Sequence, residues 1–272
     1  MRFVYLEILR PSVCILTAFA VLIGALLSNN FIFTNTIYAI LAAVLIAGSG
    51  NILNDLYDYN IDLINKPKRP LPSKRISIKS AKIYAFILLF FAIIFLILLP
   101  IYAILLGIFN ILIVFLYASR IKRTIFASFV DSWLSASTFI FGYFSVSQNL
   151  INTPIIILAM MAYSANVGRE IAKAIEDIKG DLAANVKSIP IVGGKNIAIL
   201  FSIFFVFLAI IISPIPFFIN IFGYLYLILI FIADILFIIS CYMLFFSASK
   251  SQKIMKIAMF IALLGFLAGI YL

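Results

Sequence analysis

The chain has 272 residues, 65% hydrophobic and only 11% charged, with a formal net charge of +10 and a mean hydropathy of +1.23. A soluble domain carries about 25% charged residues, so a water-soluble fold is excluded and the bilayer is the solvent for most side chains. The absence of histidine removes imidazole bases, haem ligation and Ser-His or Cys-His nucleophiles.

Apolar runs over residues 11–28, 36–54, 82–99, 101–118, 125–147, 154–176, 196–213, 219–247 and 254–271 predict nine transmembrane helices. Each is close to the roughly 20 residues that a bilayer crossing needs. Cys14 and Cys241 fall inside such runs, away from any CxxC pattern, which argues against a disulfide or zinc site. The first run stops at Asn29-Asn30 and Asn35. The second leads into Asn54-Asp55-Leu56-Tyr57-Asp58-Tyr59-Asn60-Ile61-Asp62, and Asn65-Lys66-Pro67-Lys68-Arg69-Pro70-Leu71-Pro72 follows at once. Pro100 splits the third run from the fourth, which closes on Tyr117, Arg120, Lys122 and Arg123. Asp131 lies early in the fifth run, which ends at Ser147-Gln148-Asn149. The sixth carries Arg169-Glu170 and Lys173 into Glu176-Asp177-Ile178-Lys179-Gly180-Asp181. Ser213-Pro214-Ile215-Pro216 separates the seventh run from the eighth, and Asp234 sits deep in the eighth.

With nine spans, all 20 Lys and Arg residues, from Arg2 and Arg10 to Lys256, fall at the N-terminus, in the even-numbered connections or in the helix ends that adjoin them. The positive-inside rule then puts the N-terminus and these connections in the cytoplasm. The positive charge reads as a topology signal and a contact for anionic lipid, with no separate soluble domain to take nucleic acid. The acidic clusters close the second and sixth helices, four apart in order. That spacing predicts one membrane domain over residues 1–272 with a possible duplicated unit, helices 1–4 and 5–8, followed by a ninth.

If the second helix continues through its acidic end, Asn54, Asp58 and Asp62 line one face at i, i+4 and i+8, with Asp55 beside them. Like charges at that spacing repel and call for a cation between them. Mg²⁺, which takes oxygen ligands and often shares them with substrate phosphates, suits the place. Asp177 and Asp181 repeat the spacing, and Lys173 and Arg169 continue the series backwards, so one face carries carboxylates and cations for a metal–diphosphate. Surface ion pairs are the plainer reading of one such cluster; two clusters on one membrane face favour a site. Lys66, Lys68, Arg69, Lys122 and Arg123 fit either a diphosphate contact or a topology signal. Asp131 is a weaker candidate. Asp234 is either an intramembrane functional group or a hydrogen-bonded packing residue.

The pattern Asn54-Asp55-x-x-Asp58-x-x-x-Asp62, the Lys-Pro-x-Arg-Pro-Leu that follows it, Tyr117 with Lys122-Arg123, and Asp177-x-x-x-Asp181 together resemble the UbiA-type intramembrane prenyltransferases over nearly the whole chain. The resemblance implies an α-helical bundle around a central cavity under a cytoplasmic cap. It implies two Mg²⁺ ions bridging an isoprenoid diphosphate to Asn54, Asp55, Asp58 and Asp62 and to Asp177 and Asp181, with Asp58, Asp62, Asp177 and Asp181 as the catalytic carboxylates. It further implies that Lys66, Arg69, Tyr117, Lys122, Arg123, Arg169 and Lys173 contact substrate. Arg169-Glu170-Ile171 and the second motif look most like the archaeal branch, which adds a geranylgeranyl chain to the free hydroxyl of geranylgeranylglyceryl phosphate. The expected partners are therefore a prenyl diphosphate, a lipid-phosphate acceptor and membrane lipid, with no protein partner implied. The alternatives are an aromatic prenyltransferase of quinone synthesis, alkylating a ring carbon, and a cation-coupled transporter, whose sites sit nearer the bilayer midplane.

Overall fold

A computed structural model describes residues 2–28, 30–150 and 152–271, excepting the side chains of Arg2, Ile64, Asn65 and Tyr271. Asn29 in the first predicted break, and the Arg2 and Asn65 side chains, thus lie outside the described residues. Among the described residues all regular structure is helical. The order is α1 (Arg2–Leu9), α2 (Pro11–Leu26), α3 (Phe33–Tyr57), α4 (Tyr59–Asn65), α5 (Ile78–Ile97), α6 (Ile101–Ser119), a 3-10 turn (Ile121–Arg123) and α7 (Ala127–Val146). It continues with α8 (Thr153–Glu176), α9 (Ile178–Ala183), α10 (Ile189–Val192), α11 (Lys195–Ile212), α12 (Ile215–Phe218), α13 (Tyr224–Leu244) and α14 (Ala248–Tyr271).

Among the described residues seven segments are long and apolar enough to cross a membrane: α3, α5, α6, α8, α11 with α12, α13 and α14. An eighth results if α1 and α2, bent by 56° at Arg10, count as one span. The difference from the nine predicted lies in α7. It is a 20-residue helix, but Asp131 and Ser128, Ser132, Ser135 and Ser137 dilute its apolar character. This is a multi-pass membrane protein, and its outward faces agree: Phe86 on α5 is 71% exposed and Ile211 on α11 is 67% exposed, as lipid-facing side chains are.

The chain divides into two units. The first comprises residues 1–121 and 138–150. Within it α3 packs against α1, α2, α5 and α6. Ala39, Ala42 and Ala43 of α3 meet Val21, Leu96 and Phe141; Ile52 joins Ile8, Leu71 and Leu88 in a second cluster. Small residues set the spacing, as in membrane bundles where close backbone approach replaces hydrophobic drive. A Cβ on Gly24 would lie 2.0 Å from the Phe139 carbonyl oxygen, and one on Gly142 would lie 2.0 Å from that of Val21. Ser49 Oγ donates to the Ala85 carbonyl at 3.1 Å.

The second unit comprises residues 122–137 and 151–272. Here α8 packs on α11 and α14, and α13 packs on α14, around Val167, Ile171, Val206, Leu244 and Met255. Gly168 admits α11, whose Ser202 Oγ donates to the Gly168 carbonyl at 2.7 Å. Asp234 falls in a packing network rather than a cluster of charges. Its Oδ2 accepts from Ser213 Oγ at 2.7 Å, and Tyr226 Oη donates to the Ser213 carbonyl at 2.6 Å.

Candidate active site

The two acidic motifs share one backbone solution. In the first unit α3 stops at Tyr57, Asp58 sits at φ −90°, ψ 5°, and α4 resumes at Tyr59. The Asp58 amide still donates to the Asn54 carbonyl at 3.0 Å, and that of Asp62 to the Asp58 carbonyl at 2.8 Å. In the second unit α8 stops at Glu176, Asp177 sits at φ −87°, ψ 4°, and α9 resumes at Ile178. The Asp177 amide donates to Lys173 at 3.0 Å and that of Asp181 to Asp177 at 2.9 Å. Each predicted i, i+4 series is therefore kept by hydrogen bonds through a break at its central aspartate.

In the first unit Asp55 and Asp62 are each 3% exposed. Buried carboxylates need charged partners, and Arg69 supplies one for both. Its Nη1 donates to Asp55 Oδ1 at 3.1 Å and to Asp62 Oδ2 at 2.6 Å. The prolines around it fix the turn that returns Arg69 to α3; the Ile76 amide donates to the Pro70 carbonyl at 3.2 Å. Arg10 Nη2 also donates to Asp55 Oδ1, at 2.6 Å. Lys66 is exposed and Tyr117 buried, near the end of α6. Sequence reasoning missed the tie from Arg10. Its distance of 45 residues from Asp55 leaves no periodic signal, and the residue counted only as a positive-inside marker.

In the second unit the missed residue is Glu170, which is 7% exposed. Arg169 donates to its Oε1 and Lys173 Nζ to its Oε2, the latter at 3.0 Å. Arg169 also reaches Asn166 Oδ1 at 3.2 Å, and Asn166 Nδ2 donates to Ser135 Oγ at 3.2 Å. The half-buried Asp131 feels the charges of Glu170, Lys173, Arg169 and Lys122. The structure thus brings Arg169, Lys173 and Lys122 together around Glu170 and Asp131. Arg123, exposed, lies in the 3-10 turn, where its carbonyl accepts from the Lys187 amide at 3.0 Å. One signal could have found Glu170: it precedes Ile171 on the face of α8 that also buries Val167 and Ile175.

Among the described residues no three Asp, Glu or Cys side chains gather closely enough to hold a metal by themselves. Mg²⁺ does not require that, since one or two carboxylates with substrate oxygens and water suffice. Asn54 Oδ1 fits such an ion: it is a buried oxygen without a hydrogen-bond partner, a condition that costs free energy unless something occupies it. The donors beside it in sequence, Asp58 and Asp62, are hard oxygens of the kind Mg²⁺ takes.

The UbiA prenyltransferase family profile matches residues 14–264. A digeranylgeranylglyceryl phosphate synthase of Methanococcus aeolicus is 39% identical over 97% of this chain and 96% of its own length. A solved structure of a digeranylgeranylglyceryl phosphate synthase is 38% identical, covers 98% of this chain and 97% of that one, and superposes with a TM-score of 0.79. A UbiA homologue from Archaeoglobus fulgidus, solved with DMAPP and Mg²⁺, shares the fold with a TM-score of 0.74 at 18% identity, over 98% of this chain and 99% of that one.

Proposed function

This chain belongs to the UbiA prenyltransferase family, and we propose that it transfers a geranylgeranyl group from geranylgeranyl diphosphate to the free hydroxyl of geranylgeranylglyceryl phosphate. The products are digeranylgeranylglyceryl phosphate and diphosphate. The single observation that carries this reading is the 39% identity, end to end, with a digeranylgeranylglyceryl phosphate synthase.

The chemistry asks the protein to make diphosphate leave. Asn54, Asp58 and Asp62 would hold one Mg²⁺ ion, and Asp177 and Asp181 would hold a second. When bound, these supply charge neutralisation of the diphosphate, as the A. fulgidus homologue's Mg²⁺ and DMAPP support. Lys66 and Arg69 in the first unit, and Lys122, Arg123, Arg169 and Lys173 in the second, offer charge-assisted hydrogen bonds to phosphate oxygens. Tyr117 lies at the buried end of α6 beside this chemistry in sequence. The donor C1–O bond breaks and a bond forms from C1 to the acceptor oxygen; the hydroxyl proton passes to a carboxylate or to the departing diphosphate. Apolar surroundings keep water from the allylic cation, and the prenyl tails reach it from the bilayer.

The active site faces the cytoplasm, where the positive-inside rule directs all 20 basic residues. α7 crosses as a ninth span within the bundle. α4 with the following turn caps the first unit, and α9 with α10 caps the second. The test offers geranylgeranylglyceryl phosphate and an aromatic acid in parallel to purified protein with labelled geranylgeranyl diphosphate and Mg²⁺. Product from the glyceryl phosphate alone is expected. Product from the aromatic acid alone would move the enzyme to quinone synthesis.

A further inference from the structure

The first unit binds two arginines to one buried oxygen. Asp55 Oδ1 accepts from Arg10 Nη2 at 2.6 Å and from Arg69 Nη1 at 3.1 Å. We propose that Asp55 is a positioning residue, not a metal ligand: it holds the Arg10 and Arg69 guanidinium groups together so that they take a phosphate oxyanion of a substrate. Only the identity of that substrate rests on the function proposed above.

Three observations carry the proposal. First, an ionised carboxylate oxygen has about two lone-pair sites, and the two arginines occupy those of Oδ1. A metal on that oxygen would have to displace a guanidinium, and only Oδ2 remains for any other partner. Second, the arginines keep donors in hand. A guanidinium has five N–H donors; among the described residues Arg10 commits one nitrogen and Arg69 one nitrogen to carboxylates. Their side chains are 34% and 26% exposed, against 4% for Asp55, so the cations face outward from a buried anchor. Two guanidiniums repel unless a carboxylate sits between them, and Asp55 removes that repulsion.

Third, the chain is bent to bring Arg10 there. Arg10 is left-handed, at φ 56°, ψ 73°, directly before Pro11. L-residues avoid that region, and such a conformation persists only where its surroundings fix it. They do so through α1, which precedes it. Asn51 Nδ2 donates to the Leu9 carbonyl at 2.9 Å, and Ile8 is 1% exposed in the cluster with Ile52. Arg75 clamps Glu7 with bonds of 2.6 and 2.8 Å. The helix α1 is thereby latched to α3 and to the turn after α4, and Arg10, at its end, points back to the acidic motif.

The test uses full-length purified protein and the variants Asp55→Asn, Arg10→Gln and the double variant. Calorimetry measures binding of inorganic diphosphate and of glycerol phosphate at saturating Mg²⁺, and the Mg²⁺ concentration for half-maximal turnover is read separately. Each single variant is expected to weaken one of the two anions about tenfold or more, the loss of a charge-assisted contact. The double variant is expected to be little worse than either, and half-saturation by Mg²⁺ to be unchanged. Weaker diphosphate assigns the arginines to the prenyl donor; weaker glycerol phosphate assigns them to the acceptor. A raised Mg²⁺ requirement in Asp55→Asn with Arg10→Gln indistinguishable from wild type would make Asp55 a ligand and overturn the proposal, as would unchanged affinity for both anions. Should Asp55→Asn not fold, Arg10→Lys decides. It keeps the charge and loses the fork, so a partial loss supports the proposal and wild-type binding contradicts it. Failure of the wild type to make product from either acceptor would count against the proposed reaction and leave these binding comparisons readable.

Discussion

At the first motif a 25-residue helix stops one residue short of Asp58, and at the second a 24-residue helix stops one residue short of Asp177. Both chains resume as a short helix, and both central aspartates have nearly the same φ and ψ. The charge, however, is closed in two ways. In the first unit the buried carboxylates Asp55 and Asp62 are answered from a distance in sequence, by Arg10 and Arg69. In the second the buried Glu170 is answered by its own helix, through Arg169 and Lys173. The second arrangement forms with its helix. The first needs the N-terminal helix and the proline-rich turn to be in place, so its cations depend on tertiary structure.

The largest expected effect treats the two regions as equals. Asp58→Ala and Asp181→Ala should each lower the initial rate of prenyl transfer about a thousandfold, the scale of losing electrostatic stabilisation at a reacting group. Helix content by circular dichroism should not change. Near-normal rates in both variants would break the comparison at its root. EDTA should likewise abolish turnover, and added Mg²⁺ should restore it.

The next effect separates the regions. Arg69→Gln leaves two carboxylates without their shared partner and should cost about 2–3 kcal/mol of stability, below the usual buried-pair range because Arg69 keeps 26% exposure. Lys173→Gln should cost under about 1 kcal/mol, since its side chain is 45% exposed. Thermal unfolding in detergent measures both, and equal shifts would erase the distinction. Packing offers a smaller contrast. Gly142→Ala drives a Cβ to 2.0 Å from a backbone oxygen, whereas Gly168→Ala first meets a valine methyl at 2.5 Å. The former should cost about 1–3 kcal/mol and the latter less. Smallest of all, Glu7→Gln breaks a solvent-exposed pair with Arg75 and should leave the unfolding temperature nearly unchanged.

Much of this was legible in the sequence because the bilayer demands long apolar runs. The run at 36–54 lies within α3, and that at 82–99 overlaps α5. The acidic spacing was legible too, because hydrogen bonds keep the i, i+4 relation through Asp58 and Asp177. The breaks themselves were not, since four-residue spacing looks the same in a continuous helix. The short helices α1, α4, α9, α10 and α12 carry too few residues to show a period. Arg10 and Glu170 were missed for opposite reasons. The former acts across 45 residues; the latter sits between cations that drew attention to themselves. Whether α7 crosses was not legible either, because serine at a helix interface and serine in a loop read alike.

The most direct measurement is the balance of products from purified protein given geranylgeranyl diphosphate, Mg²⁺ and geranylgeranylglyceryl phosphate as the only acceptor. The account predicts one diphosphate released for each digeranylgeranylglyceryl phosphate formed. Diphosphate released with the prenyl group going to water, or no release at all, would contradict it.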